Sequence, residues 1–245
     1  MALITHRVPT TARHGKVEYP DSDGKPMAET DVHRNLMVSL ITALRWRYRD
    51  EPLVYVSGNL LFYYVEGDPR KCTAPDCFVV KGVPGHDRRT YLLWEEGVAP
   101  CVVIEVTSRS TRRQDTREKR ELYARLGIRE YFLFDPLEEY LRPSMQGLRL
   151  AGGEYVEISP EPDGSLTSTQ LGLKLSRAGS RLRLWDPVTG AEVMDDQRRA
   201  ETEQRRAEVE GRRAETEQRR AETAEAELAR LRALLRQDDQ SSPVP

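Results

Sequence analysis

The sequence predicts an α/β or α+β fold: one mixed sheet flanked by helices, followed by a long charged helix. Three observations lead there. Between residues 29 and 190, short apolar runs of strand length alternate with segments of helical period. Residues 101–134 read as strand, helix and strand, the make-up of a parallel crossover. From about Asp195 the chain has no aromatic residue and repeats every seven positions.

The first part, 1–28, reads as an irregular arm. It is polar and carries Pro9, Gly15, Pro20, Gly24 and Pro26, with a short strand signal near 16–19. A helix is expected over 29–49, where Leu36, Leu40, Ile41 and Leu44 share one face. Apolar strands are expected at 53–56, 60–65, 77–80 and 101–106. A second helix covers 115–126, and Gly127 stands where a glycine would end it. The strand 130–134 then stops at Asp135-Pro136. Weaker strand signals lie at 148–150, 155–158, 171–175 and 182–184.

The last part, 195–237, is different in kind. RRAETEQ at 198–204 recurs unchanged at 212–218. Ala200, Ala207, Ala214 and Ala221 occupy one register, which passes to Leu228 and Leu235. The partner register holds Glu203, Glu210 and Glu217, then Ala224 and Leu231, so the coiled-coil seam is apolar only at its end. Glu201–Arg205, Glu208–Arg212 and Glu215–Arg219 are i,i+4 pairs, each contributing about 0.2–0.5 kcal/mol. Gly211 costs about 1 kcal/mol. Two readings stay open. The segment is a solvated spacer helix, or it is a coiled coil that pairs two copies into a homodimer through its last heptads.

Composition narrows the function. The chain has 245 residues, enough for one or two domains. Charged residues make up 32%, and the excess over an ordinary protein sits in the repeat. In residues 1–194, 27 basic residues balance 27 acidic ones, which argues against a nucleic-acid coat protein. The longest uncharged run, 52–65, is too short for a membrane span, and the first residues lack the apolar stretch of a signal peptide. Three cysteines make no disulfide framework, so a cytoplasmic chain with reduced thiols is expected.

No P-loop, dinucleotide-binding glycine motif, nucleophile elbow or HExxH motif occurs. The four histidines lack ligand spacing, and Cys77 and Cys101 lie in apolar runs as core thiols would. The unusual residues are acids. Glu105 interrupts CVVIEV, otherwise a buried strand, and Asp76 opens APDCFVV. A buried carboxylate is costly unless it is paired, protonated or bound to a cation. Two on neighbouring strand ends can hold one hard divalent ion such as Mg²⁺ or Mn²⁺. The plainer alternative is that Asp76 caps a turn after Pro75 and Glu105 pairs with an arginine.

The segment that follows, 108–120, contains Arg109, Arg112, Arg113, Arg117, Lys119 and Arg120. Asp115, Lys119 and Tyr123 are spaced to share a helix face, which carries Lys119 toward the end of the Glu105 strand. Two acids and a lysine around one cation, beside a basic patch, suit phosphodiester hydrolysis. There the metal activates water and the lysine stabilises developing charge.

APDCFVV, VIEVTSRST, then Asp115, Lys119 and Tyr123, then LGIREYFLFDP resemble the Uma family of restriction endonucleases in the PD-(D/E)xK nuclease superfamily. The resemblance covers about residues 29–190 and is strongest over 100–136. It implies a restriction-endonuclease-like core and a Mg²⁺- or Mn²⁺-dependent endonuclease acting on DNA. By position, Asp76 matches the metal-binding aspartate and Glu105 the acid of the (D/E)xK element. Thr107 stands where that element has lysine, and the resemblance moves the lysine's role to Lys119. Glu29 matches an acid on the first helix, followed one turn later by His33. Asp76, Glu105 and the Val106 carbonyl are then the expected metal ligands. Glu29 would complete the shell, and Arg109, Arg112 and Arg113 would contact DNA phosphates. The rival is a non-catalytic interaction protein that keeps the fold as a scaffold and binds partners through its helical tail.

Overall fold

A computed structural model describes residues 17–22 and 30–240. It divides after Asp196 into two units. In the first, helix α1 (Asp31–Arg47) starts at Thr30, whose hydroxyl accepts the His33 N–H at 3.2 Å. Leu36, Met37, Leu40, Ala43 and Leu44 form its buried stripe. Then come β1 (Val54–Ser57), β2 (Phe62–Tyr63), β3 (Cys72–Thr73), β4 (Cys77–Lys81), β5 (Tyr91–Leu92), a one-turn helix α2 (Leu93–Glu96) and β6 (Val102–Val106). A π-helical turn, Gln114–Lys119, runs into α3 (Arg120–Arg125), and Gly127 follows with φ +74°. The unit ends with β7 (Glu130–Phe134), β8 (Met145–Ala151), β9 (Glu154–Glu157), β10 (Leu166–Ser168), β11 (Leu173–Ala178), β12 (Arg181–Trp185) and β13 (Glu192–Val193).

The expected crossover is present. β6 and β7 pair in parallel at the centre of a six-stranded sheet of order β1-β4-β6-β7-β8-β9, whose other pairings are antiparallel. The strands divide among three sheets, however, where one was expected. β10-β11-β12-β13 form a second sheet and β3-β2-β5 a small third one. The reason lies in β11 and β12, which alternate buried and less buried residues and so own one apolar face. Such a face is covered by stacking rather than by joining an edge. Leu173, Leu175 and Leu184 accordingly pack with Val102, Ile104 and Phe132 of the central sheet and Leu40 of α1.

β6 is buried along its whole length. Val102, Ile104 and Val106 belong to the core on the α1 side, and Val103 to the core on the other side, with Tyr123, Tyr131 and Leu133. Glu105 takes the next position on that second face. Residues 17–22 have no regular structure over the part of the 16–19 strand signal that is described, but Tyr19 packs against Tyr63 and Trp94 at 5.2 and 4.9 Å.

The second unit, from Gln197, consists of the helix α4 (Asp196–Gln240) less its first residue; α4 has 45 residues, and its side chains over 200–225 are all exposed. It is polar all round, a type of helix supported by contacts along its own surface. Arg206 pairs with Glu210 at 3.2 Å, and Gln197, Gln204 and Gln218 each donate to the glutamate four residues on. No helix among the described residues is long and apolar enough to cross a membrane.

Candidate active site

Strand register brings the two expected acids together. Phe78 lies opposite Val103 and Cys77 opposite Ile104, so Asp76, one residue before β4, comes opposite Glu105. Alternation then puts both on the sheet face that carries α3. The Asp76 N–H points at Glu105 Oε2 at 3.4 Å, and Asp76 Oδ2 accepts the Val106 N–H at 2.8 Å. Asp76 thus bonds β6 and does not merely cap a turn. His33 Nε2 reaches in from α1 to 3.2 Å from Asp76 Oδ1. On the other flank is Gly58, where a Cβ would stand 2.0 Å from the Asp76 carbonyl oxygen. Only glycine admits this approach.

The helical segment supplies the cation. Lys119 Nζ lies 2.9 Å from Glu105 Oε2 and 3.1 Å from Asp115 Oδ1, with the lysine side chain 12% exposed. The partner of Glu105 is therefore a lysine, not an arginine. Tyr123 donates its hydroxyl proton to Glu105 Oε1 at 2.8 Å. Thr107, two residues past Glu105 on the same face, donates to Asp115 Oδ2 at 2.7 Å, and its hydroxyl also meets that of Tyr140. Tyr131 donates to the Asp115 carbonyl at 2.9 Å.

The π-helical turn contributes to this alignment. In an α-helix each step of four residues overshoots a full turn by about 40°. A π turn rotates less per residue and falls short over the same step. Asp115 to Lys119 is spanned by the π turn, and Lys119 to Tyr123 by α-helix. The two errors oppose each other, so three side chains address one spot.

Burial raises the Glu105 carboxyl well above its ordinary range; Lys119 opposes the shift, and Asp76 and Asp115 add to it. For Lys119, burial works against the charge but Glu105, Asp115 and Asp76 outweigh it, so the amine stays protonated beyond the usual lysine range. Burial and then the Glu105 charge raise the Tyr123 hydroxyl. Burial pushes the Tyr140 hydroxyl up to about 12. Both tyrosines are hydrogen-bond donors at neutral pH.

Asp76, Glu105 and Lys119 are thus neighbours, as the sequence implied. At Val106 the group seen to bond a site residue is the N–H, which holds Asp76. Glu29 lies outside the described residues. Arg109, Arg112 and Arg113 are exposed on the segment leading from β6 to the π turn. The Arg109 N–H donates to Glu139, Arg112 lies 5.4 Å from the Tyr140 ring centre, and Arg113 pairs with Glu118. Among the described residues no three His, Cys, Asp or Glu side chains form a ready-made metal cage.

The sequence reading gave no task to Thr107, Asp115 or Tyr140. The i,i+4 spacing of Asp115 and Lys119 was the available signal for Asp115. Tyr140 lies in an irregular loop more than thirty residues away, and nothing local points to it.

The sequence profile of the Uma2 family, described as "Putative restriction endonuclease", matches residues 5–180. No curated protein matches the chain. Among solved structures it is similar to one described as a "putative nuclease belonging to DUF820 from Anabaena variabilis ATCC 29413". The two are 18% identical with a TM-score of 0.44, over 60% of this chain and 76% of that one.

Proposed function

The chain belongs to the Uma2 family, and from this premise we propose that it is a Mg²⁺- or Mn²⁺-dependent endonuclease that hydrolyses DNA phosphodiester bonds. One observation carries the reading: Asp76, Glu105 and Asp115 crowd a largely buried space that holds the single ammonium of Lys119. The acids exceed the cation, and a hard divalent ion would offset the excess. The donor set fits such an ion. Mg²⁺ keeps several waters and takes one or two carboxylates together with substrate phosphate, so it needs no complete protein cage.

Asp76 and Glu105 would hold the metal, with Glu29 and the Val106 carbonyl as further oxygen ligands. Bound there, the ion supplies a polarised phosphate and an activated water. Lys119 places a fixed positive charge beside Glu105, where it would stabilise negative charge that develops on the phosphate. Val106 N–H and His33 fix the Asp76 carboxylate. Arg109, Arg112 and Arg113 would hold the DNA backbone. The three cysteines are free, which fits a reducing, cytoplasmic setting.

The balanced charge of the body favours one rival, a non-catalytic scaffold that binds partners through α4. Calorimetry with Mg²⁺ and Mn²⁺, without nucleic acid, separates the two. Metal binding that Asp76→Asn removes, with metal-dependent cleavage of single-stranded, duplex or branched DNA, supports the nuclease. Neither binding nor cleavage of any substrate leaves the scaffold.

A further inference from the structure

We infer that Asp115 and Thr107 are positioning residues that jointly hold the Lys119 ammonium against Glu105. The inference rests on the nuclease reading only for its kinetic consequence. The placement stands on geometry. Lys119 is long and would sample many rotamers if Glu105 alone faced it. Asp115 Oδ1 meets the ammonium at 3.1 Å from the side opposite its own second oxygen, Oδ2, which is tied to Thr107 at 2.7 Å. Thr107 directly follows β6, two residues after Glu105, so one stretch of chain fixes both ends of the bridge, the Glu105 carboxylate directly and Asp115 through the threonine hydroxyl. The Thr107 hydroxyl donates its one proton to Asp115 and so receives the proton of Tyr140, whose ring carries Arg112 5.4 Å from its centre. Asp115 is 2% exposed and Thr107 1% exposed, so water does not compete for these bonds.

Asp115 is buried on the face it shares with Lys119 and Tyr123, and polar bonds to Lys119 and Thr107 hold its carboxylate there. The Asp115 backbone carbonyl is itself held by Tyr131 at 2.9 Å, on the turn whose widened geometry swings Asp115 and Lys119 into line. A threonine at this position therefore does not leave the lysine's task unfilled. It anchors the acid that brings a lysine in from the helix.

The test reads Lys119 itself. The protein is treated with limiting acetic anhydride, and acetylation at Lys119 is measured by mass spectrometry relative to exposed Lys71. In the wild-type protein Lys119 should react slowly. In Asp115→Asn and Thr107→Val, each checked for folding by circular dichroism, its relative rate should rise roughly tenfold, because an ammonium no longer clamped between two carboxylates spends more of its time where the reagent can reach it. Thr107→Ser keeps the hydroxyl and should react like the wild type. In cleavage assays the Asn and Val variants should lose kcat more than tenfold with KM little changed, because a mispositioned cation fails mainly in the transition state. Unchanged Lys119 labelling in both variants, or a Thr107→Ser variant that behaves like Thr107→Val, overturns the inference. If the wild-type protein cleaves nothing, the nuclease reading fails, and the labelling ratios still decide where Lys119 is held.

Discussion

Removing the Lys119 side chain would leave Glu105 and Asp115 buried without the ammonium that bridges them. Breaking a buried pair in this way costs about 3–5 kcal/mol. Lys119→Ala is therefore expected to lower the melting temperature as well as cutting the cleavage rate by about 10²-fold or more, while DNA affinity falls only as for one lost contact. The stability loss should depend on pH. The Glu105 carboxyl already sits above its ordinary range, so its contribution is full below that range and is lost as pH rises through the raised value. Without Lys119 the shift grows, and thermal melts of the variant should fall further below wild type at pH 8 than at pH 5. An equal deficit at both pH values would count against the buried pair. Arg117→Ala and Arg120→Ala serve as controls, since Arg117 pairs with Glu121 and Arg120 donates to the Tyr155 carbonyl. Glu105→Gln and Asp76→Asn should behave oppositely to Lys119→Ala. Each removes one charge from an acid-rich space, so cleavage should vanish while the melting temperature stays equal or rises. Early unfolding of both would make the acids structural.

At the scale of elements, the site depends on the end of β4 lying against the end of β6. That approach is set from the other side by the turn after β1. The Asn59 N–H donates to the Pro75 carbonyl at 2.7 Å, and Gly58 faces the Asp76 backbone with no room for a side chain. A methyl group at Gly58 would also meet Ile41 Cδ1 at 2.7 Å. The clash is with main chain, which cannot turn away as a side-chain tip can. Gly58→Ala is expected to cost about 1–3 kcal/mol by overpacking and to shift Asp76. Chemical denaturation should show the first effect, and weakened Mn²⁺ binding in calorimetry the second. Unaltered metal binding would mean that Asp76 tolerates the displacement or is no ligand. The other supporting element is the π turn. Its worth lies in alignment rather than stability, since its hydrogen bonds are of the rarer, wider kind.

At the scale of the molecule, the chain divides after Asp196, and Asp195 still belongs to the first unit through its bond from the Ser39 hydroxyl. A fragment of residues 1–196 is expected to fold cooperatively and to keep whatever nuclease activity the full chain has. An insoluble or inactive fragment would show that α4 is required by the first unit. The helix itself is polar all round over 200–225, and its leucines gather only near the end, at Leu228, Leu231, Leu234 and Leu235. If two copies pair there, sedimentation should give a dimer that disappears in the 1–196 fragment and in Leu228→Glu. A full-length monomer would leave α4 a spacer.

Much of this could be read along the chain because the signals were local. The apolar run with Glu105 inside it announced a buried strand with a costly acid. The spacing of Asp115, Lys119 and Tyr123 announced one helix face, and the seven-residue repeat announced the long helix. Periodicity and burial cost are properties of neighbouring residues, so sequence alone determined them. What the tertiary structure decided is which distant residues share the space. The pairing of β4 with β6 set Asp76 against Glu105, and stacking rather than edge pairing put β10–β13 in a separate sheet. The loop after β7 delivered Tyr140 to Thr107, and α1 delivered His33 to Asp76. None of these has a local signature, because strand register and sheet stacking are chosen by the burial of whole faces. A side chain such as Tyr140 acquires its partner only once those faces have met.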